Sequence, residues 1–301
     1  MSRSPSSFDS TASAWIETQR SVDRSPNTLY TYLCALANLR QFLARRQIRN
    51  VRLVTFNHLS AWQAHLWKTG CKVATLQMFT LIVRRWFAWQ VSTGRLFQSP
   101  ARTLQPPRVT RPIVRCPCEK DMLRLLRSIK GRGRFALRDR AILETAYATG
   151  ARLAELAALD LASLDLNGRC VRLYGKGQRE RMVPLTRIAV RTLRAYLHRA
   201  RPRFVQTALG QTALFVGSRG GQRMMTAAFT AVIRKHAKKV GLILTMHDIR
   251  RAFATHLLAG GAHPAVVREL LGHRDYTHLH HYLKLHPESA INALRNSRIF
   301  Q

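Results

Sequence analysis

The chain has 301 residues, 46% of them hydrophobic, enough for two ordinary domains with real cores and too many for wholesale disorder. Its 50 Lys and Arg against 15 Asp and Glu leave a formal charge of +35, and the sequence pI is near 11.7. Such an excess on a folding chain points to a polyanionic partner, nucleic acid first. An anionic membrane surface is the competing reading, weakened because no apolar run reaches the ~18 residues of a span and no Lys-rich amphipathic end is present.

The start, MSRSPSSFDSTAS, lacks the apolar core of a signal peptide, so a cytoplasmic location is expected. Cys34, Cys71, Cys116, Cys118 and Cys170 are scattered and odd in number, which reads as reduced thiols. Residues 1 to about 12 read as a loose polar start, followed by a short helix with Trp15 and Ile16. Ser25-Pro26 begins a longer helix, with an N-cap and then proline at the first helical position. Its apolar stripe is Leu29, Leu33, Leu36, Leu39, Phe42 and Leu43. Further helices are predicted over about 59–68, with Trp62, Leu66 and Trp67, and about 74–93, with Leu81, Ile82, Trp86, Phe87 and Trp89. The spacing of these aromatics favours core packing over base stacking.

Between Arg24 and Cys118 there is no Asp or Glu at all. Solvated faces normally mix signs, so loss of one sign across a domain favours phosphate contact with counterion release. From Ser99 to Pro117 the composition turns to proline and arginine, which reads as an interdomain linker able to follow a nucleic-acid backbone. The second domain is predicted as helices over 119–128, 136–147, 151–159, 187–201 and 226–240. A hairpin joins strands 170–174 and 181–185 through GKGQ.

Residues 247–282 supply two more helices, buried through Leu257, Leu258, Val266, Val267, Leu270 and Leu271, with Gly260-Gly261 and Pro264 between them. His247 and Arg250, three apart, project from one helical face, and His273 follows Gly272. Cationic and proton-donating groups gathered in this way suit an anion. Singly, each has an ordinary explanation. Arg152 and Glu155 could be a surface pair, Lys176 a charged hairpin tip, and His273 a helix C-terminal cation.

Together, in order and spacing, TGARLAEL, GKGQRER, HDIRRAFATHLL, LLGH and Tyr282 resemble the tyrosine recombinase (phage integrase) family, most closely its short Xer-like members. The resemblance implies a mainly α fold with a small β-hairpin or sheet in the catalytic domain, set as a two-domain C-shaped clamp. Residues 1–105 would be a helical, SAM-like core-binding domain, 106–117 a basic Pro-rich linker, and 118–301 the catalytic domain with its C-terminal tail. The activity implied is site-specific recombination through a 3′-phosphotyrosine. Type IB topoisomerase-like or telomere-resolvase chemistry, and a catalytically silent DNA-binding protein, are the alternatives.

By resemblance, Arg152 and Arg250 grip the scissile phosphate, which suits the bidentate, permanently charged guanidinium. His247 and His273 add hydrogen bonds and proton handling. Lys176 protonates the leaving 5′ oxygen, Glu155 orients the first arginine, and Tyr282 is the nucleophile. Tyr276 is the rival, three residues after His273, whereas the family spacing of nine selects Tyr282. HLHH at 278–281 departs from the family's usual lead-in; a metal site from His278, His280 and His281 lacks partner ligands at the needed spacing. No cofactor and no metal are expected: the phosphotyrosyl ester conserves the bond energy, and the sequence has neither a P-loop nor an acidic ligand cluster. The implied partners are a double-stranded DNA recombination site and a homo-tetramer on two such sites, or a hetero-tetramer with a paralogue. No membrane is involved. The tail, with Pro287, Ile291, Leu294 and Ile299, would dock on a neighbouring subunit, or else on its own domain. A nucleoid-associated bacterial protein is the setting the resemblance implies.

Overall fold

The computed structural model describes residues 7–109, 116–175, 180–206, 210–218 and 220–272. The chain divides into two compact units, Met1–Ile113 and Val114–Gln301.

The first unit packs four helices, α1 (Phe8–Ser21), α2 (Pro26–Ala44), α3 (Phe56–Lys68) and α4 (Val73–Ser92). The expected loose start is corrected here. Ser7 caps α1 by accepting from the Ser10 amide, and Phe8, Thr11, Trp15 and Ile16 turn inward. Phe8 packs on Trp86 with ring centroids 4.6 Å apart. The polar serines and threonines of this segment hide a helical face of only a few apolar residues.

Ser25 and Pro26 start α2 as expected, but Tyr32 rather than Leu33 is buried; Leu33 is exposed. Trp62, Trp86 and Phe87 are fully enclosed, and the Trp62 indole N–H donates to Asn38 Oδ1 at 2.8 Å, so its polar edge is satisfied. Trp67 and Leu81 are exposed, against the core role expected of them. The Arg95 guanidinium lies over the Trp89 ring. Ala101 and Leu104 are fully buried in this unit's core, and Gln63 donates to the Gln105 carbonyl. The chain is thus tied down through the first part of the proline-rich stretch that begins at Ser99. The carboxylates in this unit's sequence are Asp9, Glu17 and Asp23. Two of them make ion pairs, Glu17 with Arg20 and Asp9 with Arg40.

In the second unit α5 (Glu119–Arg127), α6 (Arg134–Thr149) and α7 (Leu153–Ala158) precede a three-stranded antiparallel sheet. Its strands are β1 (Leu164–Asp165), β2 (Cys170–Tyr174) and β3 (Glu180–Pro184), in that spatial order. The register sets Val171 opposite both Leu164 and Val183. Then follow α8 (Arg187–Arg199), α9 (Thr226–Lys239), α10 (Met246–Ala259) and α11 (Pro264–Leu271). The two-residue β1 is too short to leave an alternation in the sequence, and it was not expected.

Helix α6 is the centre of this unit, buried almost all round from Leu137 to Thr149 and packed on α8 and α10. Its Asp139 is 1% exposed and is matched by Arg138, Lys235 and His236 at 3.0–3.3 Å. Burial pushes that carboxyl up, but the His236 and Arg138 contacts outweigh it and hold it below the usual range. On α10 the inward face is Ile249, Ala252, Phe253, His256 and Leu257; Leu258, expected inside, is exposed. None of the described helices is long and apolar enough to cross a membrane.

Candidate active site

Two glycines make the turns on which the site is built. Gly150 ends α6 in the left-handed region at φ +56°, and Gly272 ends α11 in the same way at φ +64°. A Cβ on Gly150 would collide with the Phe253 ring, and one on Gly272 would come within 3.0 Å of the Arg181 guanidinium. Both positions therefore need glycine for conformation and for space.

After the first turn Arg152 stands at the N-cap of α7, with Glu155 one turn on. The pair closes a capping arrangement. The Arg152 amide donates to Glu155 Oε2 at 2.8 Å, and its guanidinium donates to Oε1 at 2.7 Å. This is no surface pair, because the Glu155 side chain is 4% exposed. Arg152 itself is 43% exposed and so reaches both the buried carboxylate and solvent.

Helix α10 starts at the N-cap Thr245, which exchanges hydrogen bonds with Asp248. In its first turns His247 is exposed and Arg250 is buried. Arg250 donates to the Gly150 carbonyl at 2.7 Å and to the Leu271 carbonyl at 2.5 Å, bridging the two glycine turns. Burial, then the positive charge of Arg152, lowers its pKa to about 10, which still leaves it a cation at neutral pH.

Arg181, on β3, was not picked out from the sequence. Its Nη1 and Nη2 donate to the two oxygens of Glu155 at 3.0 and 2.7 Å, and its Nε donates to the Leu270 carbonyl at 2.8 Å. The signal was present in the strand alternation. Arg181 pairs in register with buried Leu173 and lies two residues from buried Val183, so it faces inward and requires an acceptor. Burial pushes the Glu155 carboxyl up, but hydrogen bonds from Arg181 and the Arg152 backbone prevail and hold it at about 2.

The end of α11 follows from these contacts. The carbonyls of Leu270, Leu271 and Gly272 each accept from a different arginine, Arg181, Arg250 and Arg152 respectively. Terminal carbonyls of a helix lack intrahelical partners and carry the negative end of its dipole, so guanidinium groups are their natural complement. Three guanidiniums surround one carboxylate, leaving two positive charges in excess. Such a preorganised cationic cluster suits a phosphodiester whose oxygens gain negative charge during reaction.

The structure thus brings Arg152, Glu155 and Arg250 together, with His247 on the first turn of the same helix as Arg250. Lys176, His273 and Tyr282 lie outside the described residues, as do Tyr276, His278, His280 and His281. Among the described residues no group of three His, Cys, Asp or Glu could hold a metal ion. A cavity of about 790 Å³, lined by Glu144, Tyr147, Ile188 and Thr192 among others, shares no lining residue with the arginine cluster. Burial raises the Glu144 carboxyl to about 7 despite Arg140 and Arg191 nearby.

Residues 118–289 match the phage integrase family model. Over 264 residues the chain is 35% identical to tyrosine recombinase XerD of Mycobacterium tuberculosis, covering 83% of this chain and 85% of that one. Over 267 residues it is 37% identical to tyrosine recombinase XerC of Mycobacterium bovis, covering 85% and 89%. Among solved structures, a lambda integrase dimer bound to a COC′ core site matches with a TM-score of 0.70 at 15% identity, over 90% of this chain and 96% of that one. A lambda integrase tetramer bound to a Holliday junction matches with a TM-score of 0.71, also at 15% identity, over 90% and 78%.

Proposed function

Because the chain belongs to the phage integrase family of tyrosine recombinases, as a site-specific recombinase of the Xer type, we propose that its arginine cluster binds the scissile phosphate of a duplex recombination site. The observation that carries this reading is the fixing of Arg152 and Arg250 by one buried carboxylate and by the carbonyls of two glycine turns. Their charges are in place before any DNA arrives, so little reorganisation is needed when charge develops on the phosphoryl oxygens.

In this reading Arg152 and Arg250 take the two non-bridging oxygens and Glu155 orients Arg152. The Tyr282 hydroxyl oxygen attacks phosphorus as the bond to the 5′ oxygen breaks. The proton of Tyr282 passes to a histidine, His247 or His273, and Lys176 delivers a proton to the leaving 5′ oxygen. The product is a 3′-phosphotyrosine and a free 5′-hydroxyl, and attack by a 5′-hydroxyl from another strand reverses the step. Residues 1–105 serve as the core-binding domain, 106–117 as the linker and 118–301 as the catalytic domain. The acid-free stretch from Ser25 to Pro117 supports DNA contact by the first of these. The working assembly is a tetramer on two sites, of one chain type or shared with a paralogue, in the cytoplasm. Residues 287–301 dock on a neighbouring subunit; full synaptic assembly by a chain lacking them would count against that.

A suicide substrate nicked near the crossover tests the chemistry, since loss of the short fragment traps the covalent adduct. Wild-type protein should form the adduct on its cognate site, and Tyr282→Phe should abolish it while sparing DNA binding. Loss with Tyr276→Phe instead would move the nucleophile.

A further inference from the structure

The residue of the cluster that no role yet covers is Arg181. Each of its three guanidinium nitrogens donates to a protein acceptor, two to Glu155 and one to the Leu270 carbonyl, and its side chain is 10% exposed. It is therefore spoken for within the protein. It sits between three parts of the site. Its own strand β3 pairs with β2, Glu155 holds Arg152, and Leu270 belongs to the last turn of α11, whose Leu271 carbonyl holds Arg250. Gly272 packs directly against it, because even a Cβ there would crowd the guanidinium.

We propose that Arg181 is a positioning residue for strand cleavage, clamping Glu155 and the C-terminus of α11 so that Arg152 and Arg250, which both bond to that helix end, address one phosphate. This rests on the reading of Arg152 and Arg250 as phosphate ligands. Only arginine fits the task. Its planar fork meets both carboxylate oxygens while Nε reaches a carbonyl, whereas a lysine offers a point charge that can satisfy one side of the clamp. Desolvation offsets part of this pair's Coulombic gain, so what the pair adds to stability does not identify its role. It fixes geometry, and a displacement of about 1 Å at a reacting centre costs roughly 10²-fold in rate.

The charged groups facing Glu155 among the described residues are Arg152 at the start of α7, Arg181 from β3 and Arg250 from α10, and all are cations. Removing Arg181 takes away the strongest contact holding the carboxylate ionised, so its protonation moves up in pH. A bystander ion pair would not place that ionisation in the cleavage rate.

The test uses the full-length protein on the nicked suicide substrate, measuring adduct formation at saturating DNA, DNA affinity and thermal midpoint for Arg181→Gln, Arg181→Lys, Glu155→Gln and the Arg181→Gln/Glu155→Gln double variant. Arg181→Gln should slow adduct formation by roughly 10²-fold while DNA affinity changes by less than about 3-fold. Its rate should show an acid limb at higher pH than the wild type, and the limb should vanish in the double variant. Arg181→Lys, which keeps the charge and should keep the fold, should still lose about 10-fold or more. Should Arg181→Gln not fold, the lysine variant decides. A wild-type rate in a folded Arg181 variant, or a rate loss matched by DNA affinity with no displaced limb, overturns the proposal alone. A wild-type protein that forms no adduct on its cognate site overturns the reading of the site, and this proposal with it.

Discussion

Gly150→Ala puts the architecture of the site to a quantitative test. The residue sits at φ +56°, where an L side chain costs about 1 kcal/mol, and its Cβ would run into the Phe253 ring. Phe253 is 1% exposed and cannot swing away, so overpacking should add roughly 1–3 kcal/mol. The sum is about 2–4 kcal/mol. Gly261 provides an internal control in the same unit, since it has φ +87° and nothing within 4 Å of its would-be Cβ. Gly261→Ala should therefore cost only the conformational ~1 kcal/mol. Urea unfolding followed by far-UV circular dichroism is the assay. All five tryptophans precede Cys118, so their fluorescence follows the first unit and not this one. The difference between the two variants isolates the collision. Because Phe253 follows Arg250 by less than one turn, and Gly150 supplies one of its acceptors, Gly150→Ala should also slow adduct formation under conditions where it remains folded. Equal destabilisation by the two substitutions would refute the reasoning, showing that the ring yields and that Gly150 is required for its backbone angle alone.

Other expectations follow from the charges. Glu155 has its pKa lowered to about 2, so it contributes stability above pH ~4.5 that is lost as pH falls toward 2. The contribution is about 3 kcal/mol, and Glu155→Gln should flatten the urea midpoint across that window. Glu144 has the opposite sign: raised to about 7, it lowers stability progressively as pH rises from ~4.5 through 7. Glu144→Gln should raise stability at pH 8 by about 1–3 kcal/mol, and a variant no more stable than the wild type would show that Arg140 and Arg191 already compensate it. DNA affinity should fall linearly on a log–log plot against salt, with a slope of about −0.9 for each phosphate contacted, and Arg52→Ala or Arg85→Ala should leave a shallower slope if those side chains meet the backbone.

Where a local rule speaks with one voice, sequence and structure agree closely. Ser25-Pro26 starts α2, Gly150 and Gly272 end α6 and α11, and the hairpin strands pair where alternation places them. Arg152, Glu155 and Arg250 were identifiable because their order matched a motif. Their environment was not, since burial of Glu155 depends on packing among α7, β3 and α11, which no stretch of sequence contains. Arg181 escaped for the same reason. An inward arginine on a strand announces that it needs a partner without saying which. The exposure of Trp67, Leu33 and Leu258 shows the opposite failing, in which apolar identity implies a core that helix phase does not deliver.

The segregation of charge in the first unit has a consequence for turnover. Helices α2 to α4 carry no carboxylate of their own, and the acidic groups of that unit's sequence are Asp9, Glu17 and Asp23. A surface of this kind has few internal anions to compete for its arginines once a duplex occupies them. Dissociation then depends on salt cations re-condensing on the vacated phosphates rather than on any acid within the protein. If the first unit contacts DNA as proposed, the protein should leave its product slowly and act close to stoichiometrically. Its yield in a reaction should track the amount of protein supplied more closely than the time allowed.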